Sequence, residues 1–141
     1  MHVELIAWTP NPERTVAAAA RLCYSPASAA EIARVMPPEK TRSFVEKLVE
    51  MGHQSPLEHV SFTFAIDGVS RALSHQLVRH RIASYSQKSQ RYVDEKEFTW
   101  IMPPSIEKNP AAKEIFEAQL ESIRRCYAEL CAAVPREDAR Y

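Results

Sequence analysis

Apolar and polar residues follow two periods along the chain, one typical of strands and one typical of helices. Val60, Phe62, Phe64 and Ile66 alternate with small or polar residues, which predicts a strand with one apolar face. The segment His2–Thr9 predicts a first strand. Helical patterns fill most of the remaining sequence, so the pattern predicts a mixture of helices and strands.

Helix-starting signals divide the segment between the two strands. Asn11-Pro12-Glu13 predicts an N-cap, a proline at the first helical position and an early acid, opening a helix that runs to about Tyr24. Ser28 and Glu31 fit a capping box for a short second helix, which Pro37-Pro38 ends. These prolines also open a third helix, whose apolar face comprises Phe44, Val45, Leu48 and Val49.

Three further helices are expected after the second strand. Ser70 can cap a helix that ends near Arg79, and Asn109-Pro110 begins the longest helix. Pro135 opens a short last helix, expected to fray. We interpret the apolar stripe of the longest helix as core packing; it consists of Phe116, Leu120, Ile123, Tyr127, Leu130 and Val134.

The composition favours a single soluble domain. The chain has 141 residues, of which 45% are hydrophobic and 26% charged, so we expect one α+β domain with helices packed on a mostly antiparallel sheet. No apolar run approaches the roughly 20 residues that cross a bilayer, and no signal peptide opens the sequence. Three cysteines without a Cys-x-x-Cys pair suggest reduced core residues and a cytoplasmic protein. Two glycines are too few for a P-loop or a dinucleotide-binding turn.

Positive charge is concentrated in one segment of this neutral chain. Gly68–Val93 contains five Lys or Arg, two His and no carboxylate, although the chain has 18 basic and 18 acidic residues. Guanidinium groups bind phosphate or carboxylate bidentately, and serine hydroxyls complete such a site. Arg71, His75 and Arg79 lie four residues apart on one helix, where a bound anion would offset their repulsion.

Two other interpretations of this segment remain open. It could be a solvated basic loop, or the face of a nucleic-acid-binding module. A sequence pI near 7.0 argues against the second. His53 and His59 stand six residues apart with no third ligand nearby, so we expect no metal site.

The segment Arg79–Arg91, called the signature segment below, resembles the signature of the flavin-dependent thymidylate synthases. Arg79-His80-Arg81 is followed after two residues by Ser84 and then by Ser89-Gln90-Arg91, with every fixed position of the family pattern present. Gln87 differs, because the family commonly has Glu there. The segments His53–His59 and Val134–Arg140 also resemble the family. The resemblance covers nearly all of this chain but only about the first two-thirds of the family, whose C-terminal third we expect to be missing here.

The resemblance implies an activity, its cofactors and its assembly. Deoxyuridylate would be methylated to thymidylate, with methylenetetrahydrofolate as one-carbon donor, FAD as mediator and NADPH as reductant. A homotetramer would share each active site between subunits, without nucleic-acid or membrane partners. A truncated, inactive relative of the family remains an alternative.

The resemblance also implies two sets of binding residues. The flavin-binding set is His53, Ser55, Arg79, His80, Arg81 and Gln87. The substrate-binding set is Gln76, Leu77, Val78, Arg79, Gln87, Lys88, Ser89, Gln90, Arg91 and Arg140.

Ser89 is expected to anchor an anion and not to act as a nucleophile. A serine hydroxyl needs a positioned base, whereas Lys88 and Arg91 are its charged neighbours and no carboxylate follows before Asp94. No Gly-x-Ser-x-Gly turn presents it. The catalytic group itself is not identified from the sequence.

Overall fold

The computed structural model describes all 141 residues. The chain forms two compact units, Met1–Asp67 and Gly68–Tyr141. The first unit contains, in order, β1 His2–Trp8, α1 Pro12–Leu22, α2 Ala29–Val35, α3 Pro38–Glu50, a short 3-10 helix Ser55–His59 and β2 Phe62–Asp67. The second contains α4 Arg71–Leu77, α5 Pro104–Glu107, α6 Pro110–Leu130 and α7 Arg136–Ala139. Helices together with an antiparallel sheet confirm the predicted α+β class.

The two strands pair antiparallel and gather their apolar side chains on one face. Val3 lies opposite Ile66 and Leu5 opposite Phe64. An irregularity between Leu5 and Ala7 shifts the register, so that Trp8 pairs with Phe62. Because alternate residues of β2 share a face, Trp8 joins the face of Leu5. This apolar face is about half exposed.

Alanine-rich α1 carries the core of the first unit. On one side Val16 and Ala20 pack with Leu48 of α3. On the other, Ala17 packs with Ile32 and Met36 at and after α2. The small side chains of α1 let both neighbouring helices approach closely, which explains why a run of four alanines forms the centre of this unit.

Local capping signals were correct except at Asn11. Ser28 and Glu31 form the predicted capping box, with Ser28 N–H donating to Glu31 Oε2 at 2.9 Å. These bonds from Ser28 hold the pKa of the Glu31 carboxyl below its usual value. Asn11 precedes α1 but its side chain makes no capping bond, so that prediction is wrong. Its φ of 48° is left-handed, a conformation that asparagine tolerates better than most residues.

Two element boundaries differ from the predicted positions by about two residues. β2 begins at Phe62 and not at Val60, because Val60 N–H closes the 3-10 turn by donating to Leu57 O. α4 ends at Leu77 and not near Arg79. There Arg79 N–H and His80 N–H each donate to the carbonyl three residues earlier, which tightens the chain into a turn.

The interpretation of the α6 stripe as core packing is wrong for half of its members. Tyr127 is buried, but Ile123, Leu130 and Val134 are 47%, 41% and 40% exposed. Ile123 and Leu130 line a cavity in the second unit, and Val134 lies beyond the end of α6. The cysteines are free but not core residues, since Cys23 and Cys126 are exposed. None of the helices combines the length and apolar character needed to cross a membrane.

Candidate functional site

The cations of the signature segment have no carboxylate partners in the structure. The ion pairs between Lys or Arg and a carboxylate all lie elsewhere, at Arg42–Glu46, Lys96–Asp94, Lys113–Glu117 and Arg124–Glu121. Arg79, Arg81 and Arg91 are exposed. This part of the second unit therefore carries positive charge that no side chain neutralises, which is the condition for binding an anion.

A cavity of about 550 Å³ opens where α4 ends and the signature segment begins. We call it the basic cavity; its lining consists of His75, Gln76, Val78, Arg79, Arg81 and Gln87. All but His75 belong to the predicted binding sets. The lining offers two guanidinium groups and two side-chain amides without a carboxylate, so its chemistry suits an anionic, oxygen-rich group.

Local structure positions the basic cavity. Ser70 caps α4 as predicted, since its Oγ accepts a hydrogen bond from Leu73 N–H at 3.1 Å. The helix ends after Leu77, so Arg79 and Arg81 project from the turn that follows. Cations just beyond a helix C-terminus are favoured by the partial negative charge there, so the fold tolerates this cluster without an acidic partner.

Arg71 connects α4 to the signature segment. Its Nε donates to His75 Nε2 at 3.1 Å, and its Nη1 donates to Lys88 O at 3.1 Å. The first bond requires Nε2 of His75 to be unprotonated. The side chains of Arg71 and His75 thus form a hydrogen bond with each other; the expected anion beside Arg71, His75 and Arg79 stays a prediction. Neither residue belongs to the predicted flavin- or substrate-binding set, although their four-residue spacing pointed to a shared anion.

Ser89 lies in a tight turn of the signature segment. Its Oγ accepts a hydrogen bond from Arg91 N–H at 3.2 Å, and its carbonyl accepts one from Val93 N–H at 3.0 Å. No acidic or histidine side chain hydrogen-bonds to this hydroxyl. Arg91 makes no side-chain hydrogen bond or ion pair, so its guanidinium is available to a ligand.

A second cavity, of about 600 Å³, lies elsewhere in the same unit. We call it the aromatic cavity, because Phe98, Trp100, Tyr127 and Tyr141 line it. Its lining also contains Gln90 and Arg140 of the predicted substrate set, together with Arg71. Phe98 and Trp100 were not predicted, since the segment after Tyr92 has no helical or strand period, and Tyr127 was predicted only as core packing. Three aromatic residues within positions 92–100 were the signal that could have identified it.

Arg124 organises the aromatic wall. Its Cζ lies 5.4 Å from the ring centroid of Phe98 and 5.2 Å from that of Trp100. The two rings meet edge to face, with centroids 6.1 Å apart. Arg124 Nη1 also binds Glu121 Oε2 at 3.1 Å, so the guanidinium is held by charge and by both ring faces.

The remaining predicted residues occupy other positions. Leu77, His80, Lys88, Ser89 and Arg91 line neither cavity. His53 and Ser55 lie in the first unit and are exposed at the 3-10 helix, where His53 N–H donates to Leu48 O at 2.9 Å.

Comparison with known proteins identifies the family. The family model described as thymidylate synthase complementing protein matches residues 4–141. A flavin-dependent thymidylate synthase of Clostridium tetani is 50% identical over 135 residues, covering 96% of this chain and 54% of the relative. The protein of that name from Nitratidesulfovibrio vulgaris is 47% identical over 153 residues, covering 99% of this chain and 62% of the relative.

A third relative, from Geobacter sulfurreducens, has the same name and is 45% identical over 144 residues, with 100% of this chain and 62% of the relative covered. The chain thus spans 54–62% of the length of these relatives. The predicted family is confirmed by a match over nearly the whole chain. This chain belongs to the thymidylate synthase complementing protein family, with flavin-dependent thymidylate synthases among its relatives.

Proposed function

We propose that this chain methylates deoxyuridylate to thymidylate, with methylenetetrahydrofolate as one-carbon donor and NADPH as reductant. The single observation that carries the proposal is the cluster of cations without carboxylate partners around the basic cavity. Both the nucleotide and the cofactor of such a reaction carry phosphate groups, which need this type of site. Relatives named flavin-dependent thymidylate synthase, up to 50% identical, support the same assignment.

FAD is the proposed cofactor, and the basic cavity fits part of it. Arg79 and Arg81 line the cavity and would bind the diphosphate, while Gln87 offers amide hydrogen bonds. His80, His53 and Ser55 complete the proposed flavin-binding set. When bound, the flavin supplies hydride transfer between NADPH and the one-carbon unit.

The proposed substrate site binds the nucleotide at both ends. Ser89, Arg91 and Arg140 would hold the phosphate of deoxyuridylate, assisted by Lys88 and Gln90. Gln76 and Gln87 would donate and accept hydrogen bonds at the uracil edge, beside Leu77 and Val78. Ser89 acts in this proposal as an anion-binding hydroxyl, because no base hydrogen-bonds to it.

The proposed assembly is a homotetramer working in the cytoplasm, with sites shared between subunits. The apolar face of β1 and β2 is about half exposed, which supports an assembly in which another subunit covers it. Three free thiols are compatible with a reducing compartment.

The proposal is tested by incubating the purified chain with deoxyuridylate, labelled methylenetetrahydrofolate, FAD and NADPH, and following label in thymidylate by mass spectrometry. We expect labelled thymidylate only in the complete mixture, and none when FAD or NADPH is omitted. Label transfer that is independent of FAD would contradict the proposal. So would a chain that ignores deoxyuridylate and FAD but binds single-stranded oligonucleotides with a steep salt dependence.

A further inference from the structure

Three side chains of α6 and α7 hold the backbone that follows Ser89. Arg136 Nη1 donates to Tyr92 O at 3.3 Å, and Arg124 Nη2 donates to Phe98 O at 3.0 Å. Between them, Tyr127 Oη accepts a hydrogen bond from Glu95 N–H at 3.3 Å. The three contacts fall at intervals of three residues along a segment without helix or strand, so they replace the hydrogen bonds that regular structure would provide.

Two of the three side chains, Tyr127 and Arg124, are themselves fixed by other contacts. Tyr127 is buried, and this burial raises the pKa of its phenol. Arg124 is held by Glu121 and by the two aromatic rings. Its Nε is buried without a hydrogen-bond partner, a cost that the other contacts of the guanidinium must offset.

Arg136 also couples this segment to Arg140. Arg140 N–H donates to Arg136 O at 3.2 Å, so the two arginines belong to one helical turn. The bond from Arg136 to Tyr92 O therefore ties that turn to the residues immediately after Ser89, Gln90 and Arg91. In the proposed substrate site, Ser89, Gln90 and Arg91 bind the same phosphate as Arg140, although Arg140 lies far from them in the sequence.

We propose that Arg124, Tyr127 and Arg136 are positioning residues for deoxyuridylate, which hold the segment 89–98 so that Ser89 and Arg91 stay aligned with Arg140. The inference rests on the proposed function. None of the three belongs to the predicted binding sets, and they act through backbone contacts.

The test compares Tyr127→Phe and Arg136→Met with the wild-type chain. The first removes the hydroxyl acceptor but keeps the ring; the second removes the guanidinium donor but keeps an unbranched side chain. Arg125→Met is the matched control, because Arg125 is an exposed α6 neighbour of Arg124 whose side chain makes no hydrogen bond or ion pair. Hydrogen exchange at the amides of residues 89–98 measures how firmly this segment is held. Calorimetry measures the binding of deoxyuridylate and FAD.

We expect faster exchange at Glu95 in Tyr127→Phe and a loss of deoxyuridylate affinity of about three- to tenfold in both variants. FAD affinity should change by less than about twofold, and Arg136→Lys, which keeps a donor, should recover part of the lost affinity. Arg125→Met should behave as wild type.

Two results would overturn the positioning role: unchanged deoxyuridylate affinity in both variants, or equal losses for deoxyuridylate and FAD accompanied by a lower melting temperature. A wild-type chain that binds neither ligand would instead contradict the proposed function, and the inference would fall with it.

Discussion

Arg71 donates a hydrogen bond from Nη1 to the carbonyl of Lys88 at 3.1 Å, and this contact spans 17 residues. It fastens α4, which carries His75 and Gln76 of the basic cavity, to the turn that carries Ser89 and Arg91. A helix seven residues long and an irregular loop are thereby joined through one guanidinium group. The proposed binding residues owe their relative positions to such side-chain contacts with the backbone, and not to a glycine-rich loop.

Replacing Arg91 by alanine should selectively weaken nucleotide binding. Its exposed guanidinium makes no hydrogen bond or ion pair within the chain, so the side chain is free to contact the phosphate. We expect Arg91→Ala to reduce the binding free energy of deoxyuridylate by roughly 2–4 kcal/mol, because a charge-assisted contact is lost. Calorimetry should show a much smaller effect on FAD. Equal losses for both ligands would indicate damage to the fold and contradict the assignment.

Ser89→Ala should weaken nucleotide binding and slow turnover to some extent, while turnover stays measurable. The Ser89 hydroxyl hydrogen-bonds to a backbone N–H at 3.2 Å and has no base beside it, so it lacks the activation that a nucleophile requires. Steady-state kinetics of the assembled enzyme check this expectation. Complete loss of turnover with both ligands still bound, or an adduct on Ser89 detected by mass spectrometry, would contradict it.

Gln87→Glu should be tolerated. The substitution adds a carboxylate to a cavity whose lining contains Arg79 and Arg81, and the side chain keeps its hydrogen-bond acceptor. We expect the affinities for FAD and deoxyuridylate to change by at most tenfold, about 1.4 kcal/mol. Titration of both ligands measures this, and a hundredfold change in either affinity would refute it.

Stability at high pH should depend on Tyr127. Burial raises the pKa of its phenol in the folded chain above the unfolded value of about 10. The neutral form is therefore favoured by folding, and this contribution is fully present below pH 10 and lost as the pH rises through the folded pKa. Urea unfolding between pH 8 and about 11.5 should show a steeper fall in the free energy of unfolding for wild type than for Tyr127→Phe. Parallel curves would contradict this prediction.

The helices and strands were largely predictable because their signals are local. Ser28 with Glu31, and Ser70 with Leu73, form their capping bonds within three residues, so the sequence pattern contains both partners. Asn11 failed because its backbone is left-handed, whereas the capping residues Ser28, Ser70 and Asn109 are extended, as a capping side chain requires. The basic cavity was also predictable in large part, since most of its lining comes from positions 75–87.

The aromatic cavity could not be predicted in the same way. Its lining residues make contacts between distant positions: Arg124 and Phe98 are 26 residues apart, and Tyr127 and Glu95 are 32 apart. Such pairs leave no period in the sequence. The apolar stripe of α6 was recognised, but a stripe alone does not distinguish a packed core from a cavity wall.

Titration of the purified chain with FAD, followed by flavin absorbance and fluorescence, shows whether the unpaired cations of the basic cavity bind the flavin diphosphate. We predict saturable binding to wild type, a loss of affinity of at least tenfold in Arg79→Ala, and wild-type behaviour in the control Arg125→Ala. A wild-type chain that leaves the flavin spectrum unchanged, or an Arg79→Ala variant that binds as tightly as the control, would contradict the account.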